Sequence, residues 1–199
     1  MQFDEQFDVV VVGGGNAGFS AATTAAQEGA DRVLLIEKAP EDNAGGNSFY
    51  TAGVYRTCFG GLSDILPYLY QPDGTKGLPQ DLIDKIEMDP YTKEDFHADI
   101  NRVTKGRADP ELARCLVDNS REGYQWLIDN GAKFQLSFNR QSFEVGGKFK
   151  FWGGLATSMV GKLALMIESR RALTWHRWRQ GSLSLAFRTS SRQWSQRPV

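Results

Sequence analysis

An α/β fold opening on a β–α–β unit is predicted by three features near the N-terminus. Val9 to Val12 form an unbroken β-branched run, Gly13-Gly14-Gly15-Asn16-Ala17-Gly18 follows directly, and a second apolar run, Arg32-Val-Leu-Leu-Ile36, ends in Glu37. Four consecutive valines suit a parallel strand covered on both faces. The glycine stretch fits G-x-G-x-x-G, in which each glycine has a task. Gly13 permits the tight turn out of the strand. Gly15 removes a side chain where backbone must approach a pyrophosphate, and Gly18 lets the next helix pack close to the sheet. That helix is expected from about Ala17 to Glu28, rich in alanine and stopped before Gly29. Its first turn offers unpaired N–H groups and a partial positive charge to phosphates. Glu37 lies 19 residues beyond Gly18, where such a unit needs an acceptor for ribose hydroxyls. A carboxylate there also repels a 2′-phosphate, which disfavours NADP. The combined pattern is that of a Rossmann-like unit for an adenine dinucleotide.

After Glu37-Lys38 the chain reads Ala39-Pro-Glu-Asp-Asn-Ala-Gly-Gly-Asn-Ser-Phe-Tyr-Thr-Ala-Gly53. So many small residues so soon after a strand imply close backbone approach to a ligand, or a flexible surface turn. Asn47, Ser48 and Thr51 add hydrogen-bonding groups. Composition alone does not say what they bind.

The order GGGNAG, IEK, GGNS, TAG resembles the flavoprotein family that includes soluble fumarate reductases, succinate dehydrogenase flavoprotein subunits, ketosteroid dehydrogenases and tricarballylate dehydrogenases. Its likeness is nearest to the tricarballylate dehydrogenase-like branch. The resemblance implies FAD as cofactor, with Gly13, Gly15 and Gly18 of the glycine turn on the pyrophosphate, Glu37 on the adenosine ribose, and Ala17, Lys38 and Gly46 also among the cofactor-binding residues. It also implies that Asn47 and Ser48 lie beside the flavin half and that Gly53 faces the ring and substrate. Hydride transfer between flavin and a carboxylate- or ketone-activated C–C bond is the implied reaction, with a small carboxylate or ketone as substrate.

Further along, residues 60–90 read as a surface loop punctuated by Pro67, Gln71-Pro-Asp-Gly74 and Gly77-Leu-Pro79. Thr92-Lys-Glu-Asp95 predicts a helix start, with Phe96, Ile100 and Val103 on one stripe and Gly106 as the stop. Asp109-Pro110-Glu111 predicts another, with Asp as N-cap and Pro at the first helical position. Leu112, Cys115, Leu116, Trp126, Leu127 and Ile128 are its expected apolar contacts. Ser120 and Gly123 weaken the middle of this span, so two helices can share it. His97, beside the core-facing Phe96 and without a partner motif, reads as a surface helix residue, and Cys115 as a core thiol. Alternation from Gln135 to Lys150 suggests a hairpin turning at Gly146-Gly147. The resemblance makes this the helical start of a substrate-capping domain and ends near Gly161-Lys162, where Leu163 stands in place of a glycine.

Charge then reverses. Residues 1–161 hold 15 Lys and Arg against 23 Asp and Glu, a balance of −8, and residues 162–199 hold 8 against one, a balance of +7. Three readings of this Arg-, Ser- and Trp-rich stretch stand: a basic aromatic tail for nucleic acid or anionic membrane, a disordered segment, or departure from an ancestral reading frame. Its Lys and Arg show no groove-tracking period, so no specific nucleic acid is expected. The predicted organisation is an FAD-binding segment over 1–60, a region leading into the capping domain over 61–162, and an irregular tail over 163–199. The parallel sheet is expected to be incomplete.

No apolar run is long enough for a membrane span. Two cysteines and two histidines without ligand spacing give no metal site, and with no signal-peptide pattern they suggest a cytoplasmic protein. In the family the resemblance names, the substrate-binding histidine and arginines lie beyond this stretch. No catalytic residue is therefore assigned, and a nucleotide-binding fragment without activity is the alternative to an FAD-dependent oxidoreductase. A basic-tail interaction protein is a third.

Overall fold

A computed structural model describes residues 6–40, 43–51, 53–160, 174–177 and 183–186, the last two segments by their backbone alone. It is mixed α/β and divides into two units, Met1–Thr51 with Met166–Val199, and Ala52–Leu165.

The first unit begins with β1 (Val9–Val12), α1 (Asn16–Gln27) and β2 (Val33–Ile36). The two strands run parallel, with Val9 opposite Val33 and Val12 opposite Ile36. Ala22, Ala26, Val33 and Leu35 form its buried core, with Val9, Val11 and Phe19 packed against them. The valine run departs from expectation. Val10 and Val12 are 51% and 81% exposed, because α1 covers only the face carrying Val9 and Val11.

The second unit has two small sheets. Strands β3 (Val54–Tyr55), β5 (Phe134–Leu136) and β8 (Thr157–Met159) form one, antiparallel with β8 in the middle. Strands β4 (Ile86–Met88), β6 (Ser142–Val145) and β7 (Lys148–Phe151) form the other, with β7 central, parallel to β4 and antiparallel to β6. The β6–β7 turn is Gly146-Gly147, as predicted, with φ of +59° and +77°. This pair of positive angles matches the twist of a two-residue hairpin and suits glycine best. The hairpin is shorter than the alternation suggests, since Phe138–Gln141 forms the helical turn α7. Its inward residues are Phe149 and Phe151, while Phe143 and Val145 face solvent.

Residues 60–90, expected as a surface loop, instead contribute to the core. They carry the short helices α2 (Leu62–Ile65) and α3 (Gln80–Ile83) as well as β4. Ile65 and Leu69 are fully buried, and with Phe59, Ile86, Phe96, Val117, Leu136 and Phe151 they make the main core. Leu69 bridges to Phe134, and the Tyr70 N–H donates to the Phe134 carbonyl at 2.7 Å.

Three helices follow the predicted starts: α4 (Lys93–Thr104), α5 (Pro110–Asp118) and α6 (Ser120–Asp129). Thr92 and Asp95 exchange both capping-box bonds, at 3.1 and 2.9 Å. Asp109 Oδ1 accepts from the N–H groups of Glu111 and Leu112. The buried face of α5 differs from the prediction. Val117 is fully buried, whereas Leu112, Leu116 and Cys115 are exposed, as is Val103 on α4. Among helical residues only those aimed at a neighbour become core, and α5 aims Val117. His97 is half-buried on α4.

One ion cluster ties α4 to the sheets. Arg56 Nη1 donates to Asp99 Oδ2 and to the Tyr91 hydroxyl, both at 2.6 Å, and the Tyr91 hydroxyl donates to the same oxygen. The Arg102 hydrogen bond, then those of Tyr91 and Arg56, hold the Asp99 carboxyl down at about 2, against the opposing effect of burial. A depressed carboxyl stabilises the fold above its unfolded pKa, and the contribution disappears as pH falls through the folded value. Asp99→Asn is therefore expected to lose stability at neutral pH, by about 1–3 kcal/mol for a charged hydrogen-bond hub. It should also flatten the acid limb between pH ~4 and ~2, from the reference and shifted values. Circular dichroism melts across that range test this. An acid limb unchanged in the variant would remove Asp99 as its source.

Back in the first unit, β9 (Thr174–Arg177) and β10 (Leu183–Ala186) pair antiparallel, with Ala186 opposite Thr174. Within the stretch predicted as an irregular tail, residues 174–177 and 183–186 are thus described as two short strands, consistent with the period-two pattern of Leu183-Ser-Leu185. The readings of residues 163–199 as disordered or out of frame otherwise lie outside the described residues. Among the described residues no helix is long and apolar enough to cross a membrane.

Candidate functional site

The glycine turn joins β1 to the N-terminus of α1. The Gly13 N–H donates to the Ile36 carbonyl at 2.7 Å, which locks the turn to the end of β2. Gly13 adopts φ +105°, a conformation that side-chain-bearing residues rarely take. Gly18 is fixed by space instead: a Cβ there would fall on the Gly13 carbonyl oxygen. The helix starts hard against the turn for this reason.

Gly15 is the N-cap of α1, and no side chain caps the helix or places an acid in its first turn. A Cβ built on Gly15 would meet no atom within 4 Å. Among the described residues the space beside Gly15 is open, and the helix-end dipole faces it without a competing carboxylate from its own first turn. Ala17, in that turn, is exposed.

Glu37 is buried, at 8% exposure, immediately after β2. Its Oε2 accepts from the Gly14 N–H at 2.6 Å and its Oε1 from the Ala39 N–H at 2.7 Å. The carboxylate therefore braces the glycine turn and the following loop together. Each oxygen keeps acceptor capacity beyond these bonds, because a carboxylate offers about four lone-pair sites. Gly14, which occupies a variable position of the motif, has a steric reason as well: a Cβ there would lie 2.8 Å from Glu37 Oε2. Lys38 points to solvent.

The second glycine loop comes back to the first. Gly46 opens a 3-10 turn, Gly46–Tyr50, with φ +60°, and a Cβ on it would stand 3.2 Å from the Gly15 Cα. Asn47 is exposed and Ser48 half-buried, with the Ser48 carbonyl accepting from both the N–H and hydroxyl of Thr51. Gly53 belongs to the second unit. It has φ +66°, and its carbonyl accepts from the Met159 N–H at 3.0 Å, which seats it at the head of β3 beside β8. Gly13, Gly15, Ala17, Gly18, Glu37, Lys38, Gly46, Asn47 and Ser48 thus share the first unit, with the Gly15–Gly46 approach as their meeting point. Sequence reasoning did not find Gly14 or this approach, since both depend on residues more than 20 positions apart.

A glycine turn between a parallel strand and a helix N-terminus, with an acid ending the next strand, is the arrangement of dinucleotide-holding β–α–β proteins. The chain belongs to the FAD binding domain family, whose pattern matches residues 8–184, and FAD is the cofactor that this membership gives it. The residues present fit that group, in that the Gly15 position is clear and the helix end uncapped. The chain is similar to a vinyl phenol reductase of Lactiplantibacillus plantarum, 34% identical over 131 residues, or 66% of this chain and 22% of that protein. It is also similar to the probable fumarate reductase Ifc3 of Shewanella frigidimarina, 33% identical over 129 residues, or 64% of this chain and 18% of the relative. A solved open conformation of a flavocytochrome c3 fumarate reductase aligns with TM-score 0.46 and 28% identity over 77% of this chain and 23% of that one. The chain spans about a fifth of the length of these curated relatives.

Proposed function

We propose that this chain carries the FAD-binding part of an oxidoreductase that transfers hydride between flavin and a carboxylate- or ketone-activated C–C bond. The observation that carries the reading is the approach of Gly46 to Gly15, which sets two glycine loops around the open N-terminus of α1. The name of one relative, a probable fumarate reductase, supports the reaction class, since fumarate holds a C=C bond between two carboxylates.

FAD, when bound, supplies the two-electron chemistry. This chain's own residues would bind and orient it. The backbone of Gly13, Gly15, Ala17 and Gly18 and the first turn of α1 would receive the pyrophosphate. Glu37 would accept ribose hydroxyls with its remaining lone pairs, and Lys38 would lie at the same end. Gly46, Asn47 and Ser48 would line the flavin half, with Gly53 toward the ring and substrate. The proposed organisation keeps a flavin-binding segment over 1–60, a stretch leading into a substrate-capping domain over 61–162, and a basic tail over 163–199. The sheet is proposed to be the first part of a doubly wound one. A tricarballylate dehydrogenase-like specificity is the finer form of this proposal.

The test is a visible absorption spectrum of the purified chain after incubation with FAD and gel filtration. Flavin bands that travel with the protein at about one per chain are expected, and a colourless protein fraction would refute the reading. Reduction of a dye by the flavin-loaded chain, with a saturated C4 dicarboxylate as the electron donor oxidised to its C=C form, then separates an active enzyme from a flavin-binding segment without turnover.

A further inference from the structure

The aromatic cluster of the second unit encloses polar atoms that its own side chains leave unmatched. Tyr124, on α6, is fully buried, with its ring 4.4 Å from that of Phe134 and 5.7 Å from that of Tyr55. Thr157, 2% exposed, begins β8 directly opposite Tyr55 on β3. Arg121 lies one helical turn before Tyr124, and its guanidinium carbon stands 5.2 Å from the Tyr68 ring centre and 5.5 Å from that of Tyr124. Its Nη2 donates to the Asp64 carboxylate at 2.9 Å and to the Asp64 carbonyl at 3.2 Å. The other amino nitrogen, Nη1, is buried and without a hydrogen-bond partner among the described residues, and so are the hydroxyls of Tyr124 and Thr157. Tyr124 is the group they share: the Arg121 guanidinium carbon stands over its ring, and the Thr157 hydroxyl acts on its phenol. Burial pushes the Tyr124 phenol up to about 12, while the Thr157 hydroxyl and the Arg121 charge act on it in the opposite direction.

We propose that Arg121 Nη1, Tyr124 Oη and Thr157 Oγ1 form an internal site for one water molecule, bridging α6 to the central strand of the β3–β8–β5 sheet. The water accepts from the guanidinium and the phenol and donates to the threonine. Three bonds to otherwise unsatisfied groups are the usual complement of a buried water. Leaving a buried donor or acceptor unmatched is costly, and a native fold rarely carries that cost three times in one place. A direct Tyr124–Thr157 bond would still strand Nη1. An anion is disfavoured because Asp64 already neutralises Arg121, and a second buried negative charge would lack a partner. A cation is repelled by the guanidinium.

A high-resolution crystal structure of the full chain tests this, together with a bromide-soaked crystal and magnetic relaxation dispersion of water oxygen in solution. A single density peak within hydrogen-bond distance of all three atoms is expected, with no anomalous signal after the bromide soak. Thr157→Val should lose one long-lived water per molecule in the relaxation measurement, and Thr157→Ser should retain it. A direct Tyr124–Thr157 hydrogen bond with Nη1 turned to solvent would overturn the site. A bromide peak there would overturn its assignment to water. The wild-type measurements decide the matter even if the valine variant fails to fold.

Discussion

Replacing Gly18 by alanine is expected to weaken FAD binding at least tenfold and to lower the melting temperature of the chain. The added methyl would land on the Gly13 carbonyl oxygen, a backbone atom fixed in turn by the Gly13–Ile36 hydrogen bond. Relief requires α1 to move off the turn, at about 1–3 kcal/mol or more for overpacking of this kind. The gain in helix propensity, ~1 kcal/mol, does not offset it. A shift of ~1.4 kcal/mol in the geometry of the cradle already amounts to tenfold in affinity. Gly15→Ala provides the contrast. Its φ of −83° accepts alanine and its Cβ would touch nothing. That variant should melt like the wild type and still lose flavin, because the methyl occupies the space the pyrophosphate would enter. Fluorescence titration of FAD and thermal melts of both variants distinguish these outcomes. Wild-type affinity in both would mean that the cradle does not hold the cofactor.

The second large effect is at Glu37. Glu37→Ala removes both acceptors at once and leaves the N–H groups of Gly14 and Ala39 unpaired, the former in a buried turn. Hydrogen bonds to a charged group are worth about 1.5–3 kcal/mol each. Because water can reach the part-buried Ala39 N–H and replace much of that bond, a destabilisation of about 2–4 kcal/mol is expected even without FAD, or roughly 5–15 °C in a domain of this size. Glu37→Gln should be nearly as harmful. One of its amide atoms can accept, but the other is a donor aimed at a donor. Thermal denaturation of the cofactor-free variants tests this, and a glutamine variant that melts with the wild type would remove the bracing role.

What the sequence disclosed and what it withheld divide along the range of the interactions. The β–α–β unit, the Thr92 and Asp109 caps and the Gly146-Gly147 turn were legible because each is decided within a few residues by backbone geometry and local hydrogen bonds. The core role of residues 60–90 was not. Its punctuation by prolines and glycines is real, yet Leu69 and Ile65 are buried by partners such as Phe134, far away in sequence. The apolar residues of α5 failed for a related reason. Periodicity marks a stripe, but only the neighbour decides which residues of the stripe are covered, and Val117 was chosen over Leu112 and Leu116. In the cradle, the motif named the glycines and the acid. The clash that forbids a side chain at Gly14 appears only when Glu37 folds back across 23 positions.

That folded-back carboxylate bears on the cost of binding. A free glutamate would sample several rotamers, and ordering it on ligand arrival would draw on the binding free energy. Glu37 is already held at both oxygens by backbone donors, so its conformational entropy is surrendered during folding and not during capture. With Glu37 as the ribose acceptor proposed above, an incoming nucleotide would meet a carboxylate already fixed in place. Ordering that side chain would then add nothing to the cost of loading.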